Sequence, residues 1–371
     1  MSDFDIVIIG AGIAGASLAS ELAGSAKVMV AEREEFPGYH STGRSAAFWT
    51  ESYGGPQVQP LTSASGPWFA NPPSHISAHS LLVKRGALTI GKASDKAALK
   101  DFYETFAGSV SHIHEVGRDV LEQHVGGLDA DYQHGVYEPD CCDIDVAAVH
   151  QGYLRHARAQ GAQLRTRTAL ESAQYADGQW HLGLGGETIT AAILVNAAGA
   201  WADNIAQMAS VAPLNITPYR RTVLQLQVAP TVSRDLPLVL DINGNFYFKP
   251  ENGRLWLSPH DETETAAGDV APEELDIATT IDRFEKIVNW KVVRLEKAWA
   301  GLRSFAPDRL PVYGFDSGNP GFFWFAGQGG FGIQTAPAAA KIARMQILEE
   351  PAKAMVEEIN PAPYAPARFC A

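Results

Sequence analysis

A glycine-rich segment near the start of the chain has the residue types and the spacing of a dinucleotide site. Residues 5–9 form an apolar run that leads into the glycines of residues 10–15, and a helix is predicted from residue 11 to 22. Glycines there allow a tight turn and a close backbone approach, and the helix N-terminus attracts a pyrophosphate. Glu32 ends the next apolar run, where a carboxylate binds ribose hydroxyls. This pattern predicts a βαβ nucleotide site.

The size and charge of the chain limit what surrounds this site. A length of 371 residues with 46% hydrophobic residues favours two domains. The net charge of −13 argues against nucleic acid as a partner, although a local basic pocket remains compatible with it. Three cysteines form no disulfide framework, and the acidic start of the chain is unlike a signal peptide. The few cysteines favour a reducing cytoplasm as the location, and no apolar run approaches the roughly 20 residues of a transmembrane segment.

Hydrophobic periodicity predicts the other elements. Residues 36–46 are rich in Gly, Ser and Pro and are predicted to form a loop over the cofactor. A strand at residues 321–326 leads into a second glycine-rich loop, so the C-terminal part is expected to complete the nucleotide domain. The predicted helices cover residues 95–107, 149–160, 272–289 and 335–348, and the strands after Pro218 cover residues 222–228, 238–241, 245–249 and 255–257.

Seven segments in a fixed order resemble the FAD-dependent D-amino-acid oxidase and dehydrogenase family, which also includes glycine and sarcosine oxidases. Within that family they are most similar to the D-arginine dehydrogenase branch. The segments are residues 10–15, 40–47, 143–145, 150–155, 194–201, 299–305 and 328–335.

The resemblance implies an α/β fold with an FAD-binding Rossmann-like domain of the glutathione-reductase type. This domain is expected to be interleaved with an α+β substrate domain built on a mostly antiparallel sheet. The resemblance implies non-covalent FAD, because residues 302–306 lack the cysteine through which some relatives attach flavin. The expected FAD domain comprises residues 1–80, 140–215 and 305–371, and the substrate domain comprises residues 81–139 and 216–304.

The resemblance also assigns the cofactor contacts. Glu32 would hold the ribose, Ala169 the adenine, and the amides of the 329–332 loop the flavin edge, where a helix N-terminus stabilises negative charge. The implied cofactor residues are Gly10, Gly12, Ile13, Ala14, Gly15, Glu32, Arg33, Ser41, Thr42, Arg44, Ser45, Ala46, Ala47, Ala169, Ala197, Gly199, Trp201, Gly329, Gly330, Phe331, Gly332, Ile333, Gln334 and Thr335.

Family position implies the catalytic set as well. Arg221 and Arg303 would clamp the substrate carboxylate, because a guanidinium binds it bidentately and stays charged. The neighbouring Arg220 leaves the first assignment open by one residue. Hydroxyl contacts to the substrate are expected from two tyrosines, and a glutamine is expected either to orient the flavin or substrate amine or to cap a helix. These three residues are Tyr53, Tyr247 and Gln334.

Two positions bear on the substrate side chain. Ala87 stands where arginine-oxidising relatives carry an acid, and Phe48 stands where relatives carry a histidine. An unpaired guanidinium in such a pocket would cost roughly 1–3 kcal/mol. The substrate is therefore expected to be a D-amino acid with an apolar or aromatic side chain. No metal site is expected, since no carboxylate or cysteine cluster completes the pair His112 and His114.

The implied reaction is oxidative deamination by hydride transfer from the α-carbon to flavin N5, giving an imino acid that hydrolyses to a 2-oxo acid and ammonia. Residues 253–258 lack the lysine with which sarcosine oxidases activate oxygen, so a quinone or another carrier is expected to accept the electrons. Two alternatives stay open: an oxidase or dehydrogenase of N-methyl or secondary amino acids such as sarcosine, proline or opine-like compounds, and a flavin-carrying electron-transfer subunit.

Overall fold

The computed structural model describes residues 2–369, which contain twenty strands and eight helices. The strands are β1 (Phe4–Ile9), β2 (Val28–Ala31), β3 (Phe48–Trp49), β4 (Leu82–Lys84), β5 (Ala87–Lys92), β6 (His114–Gly117), β7 (Tyr132–Glu138), β8 (Cys142–Ile144), β9 (Gln163–Arg165), β10 (Leu170–Ala176), β11 (Gln179–Leu184), β12 (Glu187–Asn196), β13 (Thr217–Ala229), β14 (Leu238–Asp241), β15 (Tyr247–Glu251), β16 (Arg254–Ser258), β17 (Thr263–Glu264), β18 (Lys291–Phe305), β19 (Val312–Phe315) and β20 (Phe322–Ala326). The helices are α1 (Ile13–Leu22), α2 (Gln59–Ala70), α3 (Lys96–Phe106), α4 (Arg118–His124), α5 (Val146–Ala159), α6 (Ala202–Met208), α7 (Glu274–Ile287) and α8 (Gly332–Leu348).

The first sheet, here called the nucleotide sheet, has the order β10-β11-β12-β1-β2-β9, with β20 beside β12 and β19 beside β20. Its central strands are parallel and almost fully buried, as expected for strands covered on both faces. Helices α1 and α8 pack on one face through Leu18, Leu22 and Ile342. The N-terminal βαβ prediction is confirmed.

The second sheet, here called the clamp sheet, has the order β17-β13-β16-β15-β14-β5-β7-β6, with β18 along β13. All of its pairs are antiparallel except that between β5 and β14. Its apolar core contains Phe248, Leu224 and Phe284. The predicted fold class is confirmed. The domain boundaries stay a prediction. The strands of the clamp sheet fall within residues 81–139 and 216–304, except that β18 continues one residue further, to Phe305.

Several predicted element boundaries are wrong, and one long strand of the structure was not predicted. Helix α5 starts at Val146 because the Asp145 carboxylate caps it, accepting a bond from the Ala148 amide at 2.9 Å. Helix α1 starts two residues late, after the glycine turn, and α8 starts three residues early, at Gly332. Strand β18 is fifteen residues long, whereas the sequence predicted no strand there.

No helix within residues 2–369 is long and apolar enough to cross a bilayer.

Candidate active site and cofactor cleft

A cavity of about 430 Å³ lies between the nucleotide sheet and the clamp sheet. The predicted residues that line it come from strands β13, β15 and β18 of the clamp sheet, from the first turns of α1 and α8, and from five loops. They are Gly10, Gly12, Ile13, Ala14, Glu32, Arg33, Ser41, Thr42, Arg44, Ser45, Ala46, Ala169, Ala197, Gly199, Trp201, Arg221, Tyr247, Arg303, Gly329, Gly330, Gly332 and Ile333.

The glycine turn after β1 leaves the α1 N-terminus open to this cavity. Gly10 has φ +101°, and a β-carbon there would lie 2.6 Å from the Ala197 carbonyl oxygen. The N-cap residue of α1, Gly12, has no side chain of its own to cap the helix, and the first turn of the helix carries no acid. The Thr42 hydroxyl accepts the Ile13 amide at 2.9 Å. The turn is thus positive and unhindered, as an anionic pyrophosphate requires.

Glu32 lines the cavity directly after β2 and is held by the same turn. Its Oε2 accepts the Ala11 amide at 2.8 Å, and its Oε1 accepts the Glu34 amide at 2.9 Å. The carboxylate retains free lone pairs for a ribose hydroxyl. His150, on α5, donates from Nε2 to the Ala11 carbonyl at 2.8 Å, and burial lowers its pKa, so the ring is neutral. Its contact with the turn was not predicted.

An aromatic and cationic surface forms the distal end of the cavity. The Arg33 guanidinium lies 4.3 Å from the Trp201 ring, and the His40 ring lies 4.7 Å from the same indole. Ala169 and Thr168 line the adjoining wall. A flat purine fits between such surfaces by stacking and cation–π contacts.

Residues 41–45 connect the nucleotide sheet to β18. The Ser41 hydroxyl donates to the Leu302 carbonyl at 2.6 Å, and the Arg44 guanidinium donates to the Ala300 carbonyl at 2.9 Å. Arg44 also pairs with Asp269 at 2.5 Å. Its backbone and aliphatic stem can face a cofactor, whereas its charged end is bound to the clamp sheet.

Two guanidinium groups meet where β13 and β18 pair. Arg303 lies opposite Tyr219, two residues along β13 from Arg221, so both arginines belong to one face of the sheet. Arg221 is 4% exposed, and its Nη1 has no hydrogen-bond partner. Its other nitrogens donate to the Asp261 carbonyl at 2.7 Å and to Glu262 at 3.0 Å. A buried cationic donor without a protein partner, facing a cavity, is suited to bind an anion there.

The alternation of β13 resolves the ambiguity between the two adjacent arginines. Arg220 points to the other face and pairs with Glu273 and with Asp276, the latter at 2.6 Å. Arg221 lines the cavity. Burial and the nearby Arg303 lower the pKa of Arg221 to about 10, which still leaves it charged at neutral pH.

The tyrosines surround these arginines. The Tyr53 hydroxyl accepts a 2.6 Å bond from Arg303 Nη1, and Tyr247 is 2% exposed and lines the cavity. Phe48 lies 5.2 Å from Tyr53 and 6.3 Å from Tyr247, ring centre to ring centre. Ala87 belongs to the same apolar cluster. The predicted side-chain pocket therefore adjoins the arginines.

The loop before α8 packs directly against this group. A β-carbon on Gly330 would lie 2.8 Å from both Arg303 Nη1 and the Tyr53 hydroxyl, so only glycine leaves room for that pair. Gly329 has φ +53° and sits against the Phe305 ring. The first turn of α8 carries no acid, and Gly332 and Ile333 line the cavity.

Several predicted residues lie behind the cavity wall. Gly15 serves close packing of α1 on β1, since a β-carbon there would be 1.9 Å from the Gly10 carbonyl oxygen. Gln334 is 2% exposed, and its amide binds the backbone of residues 50 and 53. Its contact with the flavin or the substrate amine, and its alternative role as a helix cap, stay predictions. The others behind the wall or at its edge are Ala47, Phe48, Tyr53, Ala87, Phe331 and Thr335.

His260 and Glu262 are site residues that the sequence did not reveal. The His260 ring lies 5.7 Å from that of Tyr247, and its Nδ1 contacts the Gly244 carbonyl at 3.0 Å. Burial and the positive charges of Arg221 and Arg303 lower the pKa of His260 to about 3, so it is neutral. Both residues follow β16 in a charged turn, and no spacing rule indicated that this turn folds back over β13.

The donor set fits FAD. The open helix N-terminus suits a pyrophosphate, Glu32 a ribose, and the acid-free α8 N-terminus an anionic ring edge. No cysteine of the described residues lines the cavity. Within residues 2–369, no three His, Cys, Asp or Glu side chains are grouped to hold a metal ion.

Comparison with known proteins identifies the class. A model of the family described as FAD dependent oxidoreductase matches residues 5–345. The chain therefore belongs to this FAD-dependent oxidoreductase family.

Individual relatives are distant in sequence. The hydrogen cyanide synthase subunit HcnC of Pseudomonas aeruginosa is 27% identical over 244 residues, which are 64% of this chain and 55% of that subunit. The crystal structure of glycine oxidase from Geobacillus kaustophilus matches with a TM-score of 0.85 at 20% identity and covers 99% of both chains. L-Proline dehydrogenase from P. horikoshii matches with a TM-score of 0.84 at 22% identity over 98% of this chain and 97% of its own. These structural likenesses show the fold.

Proposed function

We propose that this protein catalyses the oxidative deamination of a D-amino acid with an apolar or aromatic side chain. The observation that carries the proposal is the pair Arg221 and Arg303 in the cofactor cavity, with one buried Arg221 donor lacking a partner. A carboxylate supplies that partner and offsets the positive charge, which Glu262 balances only in part.

The residues would act by alignment. Arg221 and Arg303 grip the carboxylate, and Tyr53 and Tyr247 fix its orientation and exclude water. Bound FAD would supply the two-electron acceptor for the α-hydrogen. His260 stays neutral, so it adds no further positive charge beside the two arginines. The product would be an imino acid, which water converts to a 2-oxo acid and ammonia.

The apolar side chain is inferred from Tyr247, which lines the cavity, and from Phe48 and Ala87, which back it in the same apolar cluster. The D configuration rests on the resemblance of the sequence motifs to the D-arginine dehydrogenase branch, since an arginine clamp accepts either enantiomer's carboxylate. Arginine itself is disfavoured as the substrate because Ala87 offers no acid.

A carrier other than oxygen is proposed as the electron acceptor, a quinone being the first choice. Among the described residues, no lysine lines the cavity. The buried Lys249 is paired with Asp143 at 2.7 Å and with Glu251 at 3.3 Å. Non-covalent attachment of FAD is also proposed, because residues 302–306 contain no cysteine, and a cytoplasmic location is proposed from the low cysteine content.

Anaerobic titration of the FAD-loaded protein with paired D and L amino acids tests the proposal. We expect D-leucine, D-phenylalanine and D-methionine to bleach the oxidised flavin band and D-arginine to do so less well. Arg303→Lys should weaken substrate binding about tenfold or more, because a hydrogen bond to a charged group contributes roughly 1.5–3 kcal/mol. Arg294→Lys, an exposed position of the same strand, is the matched control.

The second candidate is an oxidase or dehydrogenase of secondary amino acids, favoured by the structural likeness to an L-proline dehydrogenase. Bleaching by sarcosine or proline, with none by primary D-amino acids, would replace our proposal with it. A yellow protein that no amino acid bleaches would instead support an electron-transfer subunit.

A further inference from the structure

The segment that carries Tyr53 runs from the end of β3 to α2 along the cavity edge. Gly54 and Gly55 follow Tyr53 with φ of +104° and +85°, so the segment has a flexible backbone on one side. Within the segment, the Tyr53 amide donates to the Thr50 carbonyl at 3.3 Å, a long hydrogen bond that holds the backbone only weakly. Two buried side chains outside it supply the contacts.

The first is Glu138 at the end of β7, which is 6% exposed. Its carboxylate accepts hydrogen bonds from the Thr50 hydroxyl, from the Glu51 amide at 3.1 Å, and from both the amide and the hydroxyl of Ser52. Three consecutive residues of the segment thus donate to one buried carboxylate. An ionised carboxylate can accept all of these bonds, which offset part of the cost of its burial, although burial still raises the pKa of Glu138 above its ordinary value.

The second is Gln334 on α8. Its Oε1 accepts the Thr50 amide at 3.3 Å, and its Nε2 donates to the Tyr53 carbonyl at 3.1 Å and to the Thr62 hydroxyl at 3.0 Å. Glu138 belongs to the clamp sheet, whereas α8 packs on the nucleotide sheet. The segment is therefore held from both sides of the cleft.

We infer that Glu138 and Gln334 are positioning residues that hold residues 50–53 so that the Tyr53 hydroxyl meets Arg303. The inference rests on the proposed function in taking Arg303 and Tyr53 as the carboxylate clamp. Glu138 lies opposite Ala87 in the sheet, yet its carboxylate is occupied by the segment and does not line the cavity. Its contribution to binding passes through Tyr53.

Glu138→Gln in the FAD-loaded protein tests this inference, with benzoate as a carboxylate probe that has no amine to oxidise. We expect the dissociation constant of benzoate, read from the flavin spectrum, to rise about tenfold, as for loss of a hydrogen bond to a charged group. Hydrogen–deuterium exchange of residues 50–55 should become faster. In a Tyr53→Phe background, the effect of Glu138→Gln on benzoate should shrink to about twofold or less, because the two residues act through one contact.

Glu51→Gln is the matched control, since it removes an adjacent acid whose carboxylate binds Ser63 instead of the segment backbone. Thr50→Val, which removes one donor and keeps the shape, replaces Glu138→Gln should that variant fail to bind FAD. Unchanged exchange of residues 50–55, or an equal loss of benzoate binding with and without the Tyr53 hydroxyl, would overturn the inference. The exchange measurement does not depend on turnover. A protein that oxidises no amino acid would therefore refute the proposed function, whereas the exchange rates of residues 50–55 would still test the positioning role of Glu138.

Discussion

The guanidinium groups of Arg221 and Arg303 give the cavity a local positive charge: Arg221 has an unpaired Nη1, and among the described residues the Arg303 guanidinium donates only to the Tyr53 hydroxyl. The chain as a whole has a net charge of −13. Local arrangement outweighs net charge here, since charges farther apart than about 10 Å are screened at ordinary ionic strength while buried groups are screened far less. His260 lies near these arginines, and its pKa is lowered first by burial and further by the positive charges of Arg221 and Arg303.

His260 should make the protein less stable in acid. Its pKa is about 3 in the folded protein against an ordinary 6.5, so between these values the unfolded chain binds a proton that the folded protein does not. Its contribution to stability is therefore lost as the pH falls from 6.5 toward about 3. We expect His260→Asn, which suits the φ of +57° at this position, to reduce that acid loss.

Urea unfolding of both proteins near neutral pH and in mild acid measures this difference. Equal losses of unfolding free energy in the wild type and in His260→Asn would contradict the expectation.

For single residues, the sequence predicted which residues belong to the site better than it predicted which side chains they contact. Glu32 and Gly10 followed from a spacing rule with a clear physical basis, and both line the cavity. The resemblance left Arg220 and Arg221 open, because only strand alternation shows which side chain faces inward. Glu138 and His260 could not be predicted, since their roles depend on contacts between segments far apart in the chain.

Among the elements, the β1–α1 unit is fixed by a close approach that only glycine allows. Gly15→Ala should raise intrinsic helix stability by about 1 kcal/mol, yet its β-carbon would lie 1.9 Å from the Gly10 carbonyl oxygen. The clash dominates, because relieving it displaces the α1 N-terminus from the cavity. We expect weaker FAD binding and a lower Tm.

Flavin content after purification and fluorescence titration with FAD measure the effect. Gly108→Ala is the control, since its β-carbon would enter open space. A Gly15→Ala protein that binds FAD like the wild type would show that the helix tolerates the displacement.

Strand β18 shows where pattern reading fails for elements. Its first half carries Lys291, Arg294 and Lys297 on exposed positions, and only the second half, toward Phe305, is largely buried. Charged residues weaken a strand signal, and the pairing with β13 that stabilises this strand spans many intervening residues. The buried strands β1 and β20, by contrast, are short continuous apolar runs and were predicted.

In the whole molecule, a cofactor in the cavity would contact both the nucleotide-sheet part and the clamp sheet and would thus bridge them. Residues from β13 and β18 line it together with the loop after β1. A ligand that binds only the folded state stabilises it by about 4 kcal/mol at a thousandfold excess over its Kd. Removing FAD should therefore lower the Tm, and added FAD should restore it in a concentration-dependent way.

Differential scanning calorimetry of the apoprotein with increasing FAD measures this dependence, with NAD as the control ligand. A Tm that is independent of FAD would contradict the proposed bridge.

The path of the chain between the sheets has a further consequence for how such proteins diversify. The chain leaves the nucleotide sheet after β2, returns at β9, leaves again for β13 and comes back for β19 and β20. The clamp sheet is thus assembled from two insertions whose ends are both anchored in the nucleotide sheet. Replacing both insertions with those of a homologue should transfer the homologue's substrate preference. Replacing only one would pair β5 with a β14 from a different protein, or the reverse, and so disrupt the sheet at that pair.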